Sequence, residues 1–396
     1  MSKHIVFWLG RAPEPWDHHT AIDQGIGGSE LAALRLTSEL AAMGYQVSVY
    51  ADIMAPDPSS QNPRWLPYED ASFAEVLISC DLLVSSRCPT LGMGAADRKK
   101  LGKPTWLWMH DLHVGSDWGN VLGTCFDKVI CLSRFAKERF CQYYPRVDSH
   151  TVDIIPNGIT PELFTLLPKE SLGDKHVRLQ THKEPLSCIW SSCPDRGLDR
   201  VLDVWPSIVQ AFPGAKLSIF GNFNTWLRRI ELFGTSEQRK LAHVLTRQFL
   251  ASMMDPKSGV RFWGQAGQIA LANAWRGSHL WFYPTSFEET SCITALEAQA
   301  SGTKIVCTAM GSLPETAPYA RFLPSWEDNL VWKSQATSTI IDTMQDPLYS
   351  MLDVAYARVL SWSLVASLWD TRIVNLEMRQ VSIQNDNDQP DKGSLN

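Results

Sequence analysis

Short apolar runs of strand length recur along this chain, each followed by a polar loop and then a stretch of helical period. That alternation constrains the fold more than any other feature. Strand–helix–strand units in series bury their apolar faces as parallel sheets with helices on both sides. The clearest unit is WFYPTSFEETSCITALEAQASG, residues 281–302. Residues 279–283 read as a buried strand, and Pro284 stops it. Thr290 and Ser291 are helix-capping types. Ile293, Leu296 and Ala300 then share a helical face, and Gly302 closes the helix before the next strand, 304–308.

Two carboxylates load the turn of this unit. Glu289 lies in the loop before the helix, and Glu297 lies on the same face as Ile293, Leu296 and Ala300. A carboxylate on a core-facing stripe is costly unless something pairs with it. Two readings stand open. Glu297 sits at the edge of the stripe, with its head in water or on a structural arginine. Alternatively, it faces a ligand that donates hydroxyl hydrogen bonds. The free N–H groups of the helix start, around Cys292 and Ile293, would suit a phosphate.

The same alternation runs from end to end. A strand at 4–9 leads into a long loop, 10–28, and the turn GIGGSE; a helix over 29–43 and a strand at 45–50 follow. Gly27 and Gly28 lack the spacing of a dinucleotide fingerprint, and a plain tight turn explains them as well as a ligand does. Further strands are expected at 82–85, 104–109, 128–132 and 152–155, and a second series at 186–190, 215–220 and 260–263. Between the series, 160–185 is polar, Pro-bearing and without clear period. The fold class expected is therefore α/β: two Rossmann-like domains facing across a cleft, with their loaded turns at strand C-terminal ends. We divide the chain into 1–170, 171–360, a helix over 361–383, and a polar tail, 384–396, expected to be disordered.

Composition narrows the partners. The 396 residues are 44% hydrophobic and 20% charged, with a net charge of −6, which points away from nucleic acid. Residues 1–165 carry 14 Lys and Arg against 19 Asp and Glu, so no cationic membrane face is evident there and at most peripheral membrane contact is expected. The cluster Arg98, Lys99, Lys100, Lys103 reads as a solvated helix end. No apolar run approaches the ~18 residues of a membrane span. Nine cysteines without a CxxC pair argue for free thiols and a cytoplasmic location.

Six motifs in order then carry a resemblance: GGSE at 27–30, His110-Asp111, PNGI at 156–159, SSCPDRGLD at 191–199, Glu289 with Glu297 after seven intervening residues, and SWSLVASLW at 361–369. Over residues 5–372 the chain resembles the family-4 glycosyltransferases, retaining enzymes of the two-Rossmann (GT-B) architecture. The resemblance implies a role for each matching residue. Glu297 would bind the ribose hydroxyls of a nucleotide-sugar donor, and Glu289 the hydroxyls of the transferred hexose. Arg196 would neutralise the diphosphate, as the family's lysine does, and His110 would lie over the sugar. Gly27 and Gly28 would let backbone approach the donor or acceptor, and Gly264 and Gln265 would lie by the base. The motif at 361–369 would begin a helix crossing back onto the first domain. The implied partners are a nucleotide-sugar, such as a UDP- or GDP-sugar, and a glycan or lipid-linked acceptor.

There are departures. An arginine is usual in the family where Ser191 stands, so Ser191 and Ser192 with the helix N-terminus would have to help hold the diphosphate. Thr290, Ser291 and Cys292 replace smaller residues, and Ser312 replaces a glycine. The expected chemistry needs neither cofactor nor metal, because Arg196 and helix N–H groups can stabilise the leaving diphosphate and no Asp-x-Asp lies at a strand end. Retention ordinarily calls for a carboxylate nucleophile, for which Glu289 would serve. The resemblance assigns Glu289 to sugar hydroxyls instead and implies front-face attack. Trp16, Asp17 and His18, in the first long loop, and Asp111 are candidates for acceptor contact. The pairs His110/His113 and His18/His19 lack a third metal ligand at a recognised spacing. Two other functions suit the same architecture: a non-hydrolysing nucleotide-sugar epimerase, and a non-catalytic nucleotide- or sugar-binding protein.

Overall fold

The computed structural model describes residues 2–12, 16–53, 60–115, 118–164, 183–324, 329–346 and 351–387. Seven parallel strands form the first sheet: β1 (His4–Gly10), β2 (Gln46–Ala51), β3 (Arg64–Pro67), β4 (Leu82–Ser86), β5 (Thr105–Trp108), β6 (Lys128–Cys131) and β7 (Val152–Ile154). Their order is β3-β2-β1-β4-β5-β6-β7. Six form the second: β8 (Ser187–Ser191), β9 (Lys216–Phe220), β10 (Val260–Gly264), β11 (Leu280–Tyr283), β12 (Lys304–Thr308) and β13 (Arg321–Leu323), in the order β10-β9-β8-β11-β12-β13. Both sheets are doubly wound. Strand order reverses beside β1 and β4 in one and beside β8 and β11 in the other, and ligand crevices open at such points.

The strands read as unbroken apolar runs because both faces are covered. Every residue of β4, β5 and β11 is buried. One core lies in the second domain and joins Trp190, Trp275, Trp281 and Leu296. In the first domain, a core under β1 and β5 includes Trp362, Val365, Ala366, Trp369 and Ile373 of the last helix, Trp362–Asn387. Trp369 meets Trp108 at 5.4 Å, Trp106 at 5.6 Å and Phe7 at 5.9 Å between ring centroids, so the last helix is fastened to the first domain as expected. The chain makes its two passages between domains side by side: Ile159 N donates to Leu360 O at 2.9 Å, and Trp362 N donates to Ile159 O at 3.0 Å. Gly158 of PNGI makes this possible, since a Cβ there would meet Trp362 N at 3.0 Å. Most of the break expected at 160–185 lies outside the described residues, as does the tail from 388. The last helix continues through Asn387, into the stretch expected to be disordered.

Several elements differ from expectation. β3 and β13 are too short to show a period. The helices Phe223–Phe233 and Ser236–Met254 lie where none was expected, although Asn222 caps one and a Thr235/Gln238 capping box opens the other. The first long loop contains the helix His18–Asp23, whose Thr20 N–H donates to Asp17 Oδ1 at 2.7 Å. Arg98 is not solvated: it is 1% exposed and donates to Thr105 Oγ1 and to the carbonyls of Cys80 and Pro104. A buried guanidinium is tolerable only when its donors are matched in this way. Among the described residues no helix is long and apolar enough to cross a membrane.

Candidate active site

The site is organised by the loop between β11 and the helix Ile293–Ala300. Pro284 ends the strand, and Arg200 Nη1 donates to its carbonyl at 2.7 Å. From below, Ser312 N donates to Glu289 O at 2.7 Å, and Gly311, at φ +61°, packs so closely that a Cβ would run into the Glu289 backbone. Ser312 thus supports the loop through its backbone, which explains why a serine is accepted in place of glycine. From across the cleft, His110 O accepts from Thr290 Oγ1 at 2.9 Å. Thr290 and Ser291 do not cap the helix. Cys292 stands at the N-cap and makes no capping bond, which leaves first-turn N–H groups facing the cleft. The glycine turn comes up against this helix start: a Cβ on Gly28 would touch Ile293 Cδ1 at 3.8 Å.

Glu297 is buried and Glu289 is partly exposed. Glu297 is 7% exposed, and among the described residues no hydrogen bond or ion pair is made by its carboxylate. Burial pushes its carboxyl up to about 7, opposed by the nearby Trp275 indole, whose N–H stays outside full hydrogen-bond geometry. Glu297 is therefore not at the edge of the stripe with its head in water or on an arginine. Glu289 accepts from the Tyr283 hydroxyl at 2.6 Å. Burial raises its carboxyl, while the Tyr283 bond and the charge of Arg196 lower it.

Arg196 follows β8 in the tight turn Pro194–Arg196, with its guanidinium 3.0 Å from the ring centroid of Phe287. Gly197 next to it has φ +102°, and a Cβ there would lie 2.5 Å from Pro284 O. Gly197→Ala should therefore displace Arg196 from the Glu289 loop and cost about 1–3 kcal/mol; thermal unfolding of the variant measures it. His110 has its Nε2 buried without a partner. Burial first, then the charge of Arg87, holds its imidazole down at about 3, so it is neutral.

On the first domain, Trp8, Ser29, Glu30, Arg87, Asp111 and His113 line a cleft of about 490 Å³. Arg87 bridges it, donating to Asp111 Oδ2 at 2.6 Å and to Ser29 Oγ at 3.1 Å from a left-handed backbone, φ 61°. A non-glycine residue in that conformation signals a local constraint.

The other expected residues divide. Gln265 links the domains, donating to Gly25 O at 3.0 Å and accepting from Asn222 at 2.9 Å, next to Gly264 at φ +76°. Ser192 Oγ lies 3.2 Å from the Tyr283 hydroxyl, whereas Ser191 ends β8. Asp111 lines the cleft. Trp16 does not: it is 3% exposed, packed against Trp65 at 5.3 Å between centroids, so it belongs to the core and not to an acceptor site. Asp17 is a helix cap, and the side chain of His18 lies outside the described residues. Sequence reasoning passed over Tyr283, Phe287 and Arg87. Each stands at or just after a strand's C-terminal end, and that position was the available signal.

Residues 26–163 match the family model described as Glycosyltransferase Family 4. The chain is 22% identical over 244 residues to a D-inositol 3-phosphate glycosyltransferase of Segniliparus rotundus, covering 61% of this chain and 50% of that one. It is 23% identical over 238 residues to a GDP-mannose-dependent monoacylated alpha-(1-6)-phosphatidylinositol monomannoside mannosyltransferase of Corynebacterium glutamicum, covering 57% and 55%. The matches span about half the length of these relatives. HepE of Anabaena in complex with UDP and glucose superposes with a TM-score of 0.65 at 14% identity, over 94% of this chain and 100% of that one. Sucrose-phosphate synthase of Thermosynechococcus elongatus does so with a TM-score of 0.66 at 16% identity, over 95% and 100%. At these identities the structural likeness is one of fold.

Proposed function

We infer that this chain is a family-4 glycosyltransferase that moves a hexose from a nucleoside-diphosphate sugar to a glycan or lipid-linked acceptor with retention of configuration and without a metal. One observation carries the reading: two carboxylates, the partly exposed Glu289 and the buried Glu297, flank an uncapped helix start, opposite a neutral histidine with an unpartnered nitrogen. Carboxylates so placed can accept from sugar and ribose hydroxyls, and the amide groups between them can meet a diphosphate. The solved relative in complex with UDP and glucose, and the curated relative named for GDP-mannose, support a nucleotide-sugar donor.

In this mechanism the leaving diphosphate gains negative charge as the anomeric bond breaks. Arg196 and the N–H groups at Ile293 stabilise it by preorganised electrostatics. Glu289 holds the sugar through its hydroxyls, and His110 Nε2 meets a further hydroxyl. The acceptor, seated in the cleft by Arg87 and Asp111, attacks from the same face, and its proton passes to a donor phosphate oxygen. Because His110 titrates near 3, the pH profile of kcat should show no histidine limb between about pH 5 and 8. A limb near the ordinary histidine value, lost in His110→Ala, would overturn that assignment.

A thermal-shift panel of UDP-, GDP- and ADP-sugars, run with and without EDTA, tests the reading. One nucleotide series should stabilise the protein equally in both. Loss of the shift with EDTA would contradict metal independence, and an epimer formed without acceptor would contradict transfer.

A further inference from the structure

Tyr283 is the last residue of β11 and 1% exposed, an unusual place for a hydroxyl. Its ring is clamped by aromatics: Trp281 stacks on it at 4.5 Å and 21°, and Trp190 lies 5.4 Å away. The ring cannot swing without disturbing the second domain's core. At its tip the hydroxyl donates to Glu289 Oε1 at 2.6 Å and stands 3.2 Å from Ser192 Oγ. Ser192 opens the turn that ends in Arg196. One phenol therefore joins the loop of the carboxylate to the loop of the cation.

We propose that Tyr283 is a positioning residue for Glu289, fixing one carboxylate oxygen so that the other is presented to the donor sugar, and that through Ser192 it sets the spacing between Glu289 and Arg196. The proposal rests on the transferase reading for its consequence, but its physical content is the hydrogen bond. A donor to the ionised form favours that form. Removing the hydroxyl should therefore raise the carboxyl of Glu289 further, and activity should be lost at a higher pH on the acid side.

Tyr283→Phe keeps the stacked ring and deletes the donor. Its kcat should fall about ten- to a hundredfold, the range of a hydrogen bond to a charged group, with KM for the donor near wild type and the acid limb moved upward. Ser192→Ala should cause a smaller fall of the same kind, because it leaves the Tyr283–Glu289 bond intact. A readout independent of turnover is a ¹³C NMR titration of protein labelled at glutamate carboxyls, with the Glu289 signal identified by its absence in Glu289→Gln. A higher midpoint in Tyr283→Phe supports the proposal, and an unchanged midpoint overturns it whether or not turnover is found. The transferase reading fails separately, if the wild-type protein turns over no nucleotide-sugar.

Discussion

Glu289→Ala should lower turnover of the nucleotide-sugar by about a hundredfold or more, the scale on which one preorganised contact to the reacting group acts, and leave nucleotide affinity within about twofold. The split follows from position. Glu289 is held by the Tyr283 phenol at 2.6 Å and by Ser312 N–H at its own carbonyl, so its carboxylate occupies one place. That place adjoins Thr290, whose hydroxyl is tied to the His110 carbonyl, and under the transferase reading it meets the sugar. Nucleotide contacts are assigned elsewhere, to Glu297 and the helix start. Steady-state kinetics with calorimetric nucleotide binding decide the matter. Equal losses in turnover and in nucleotide affinity would show that Glu289 serves general binding.

Glu297→Gln should have opposite effects on stability and on binding. Burial raises the folded-state carboxyl from 4.5 to about 7. In that window the folded protein holds a proton that the unfolded chain has released, so stability falls as pH rises through it, and the full cost is present above about 7. The shift corresponds to about 3 kcal/mol. The variant should thus gain up to that much over wild type at pH 8 and little at pH 4.5, measured as unfolding midpoints across pH. Under the transferase reading nucleotide affinity should fall about ten- to a hundredfold, because the carboxylate proposed to accept from ribose hydroxyls is replaced by an amide. Wild type itself should bind nucleotide more tightly at pH 8 than at pH 6. A variant that is both less stable at pH 8 and unchanged in affinity would remove Glu297 from the donor site. Such a cost, carried without ligand, is what a site built for a bound partner shows.

Much of this was legible because it depends on spacing. Strand-length runs separated by helical periods gave two parallel sheets, and both formed with the same winding order. The interval between Glu289 and Glu297 put one carboxylate before the helix start, partly exposed, and the other on its inner face, buried. What was not legible depends on contacts between distant segments. No period marks Tyr283 as the donor to Glu289, because its hydroxyl matters only once the loop folds back over it. The run that contains Arg98 reads as exposed charge, yet Arg98 alone turns inward to meet carbonyls from two segments. Trp16 stood in a polar loop as a candidate for acceptor contact, but its indole packs against Trp65 in the core. The cap of the central helix was misplaced for a similar reason. Thr290 has the chemistry of a cap, and the opposite domain takes its hydroxyl first.

The most direct test of the donor clamp needs no acceptor. Each nucleotide-sugar is incubated with the protein alone, and the first-formed free sugar is observed by proton NMR before its anomers equilibrate. The account predicts slow hydrolysis of one donor series, release of the sugar in the donor's own anomeric configuration, and no release by Glu289→Ala. Hydrolysis that inverts the anomeric centre, or that proceeds at the wild-type rate in Glu289→Ala, would contradict it.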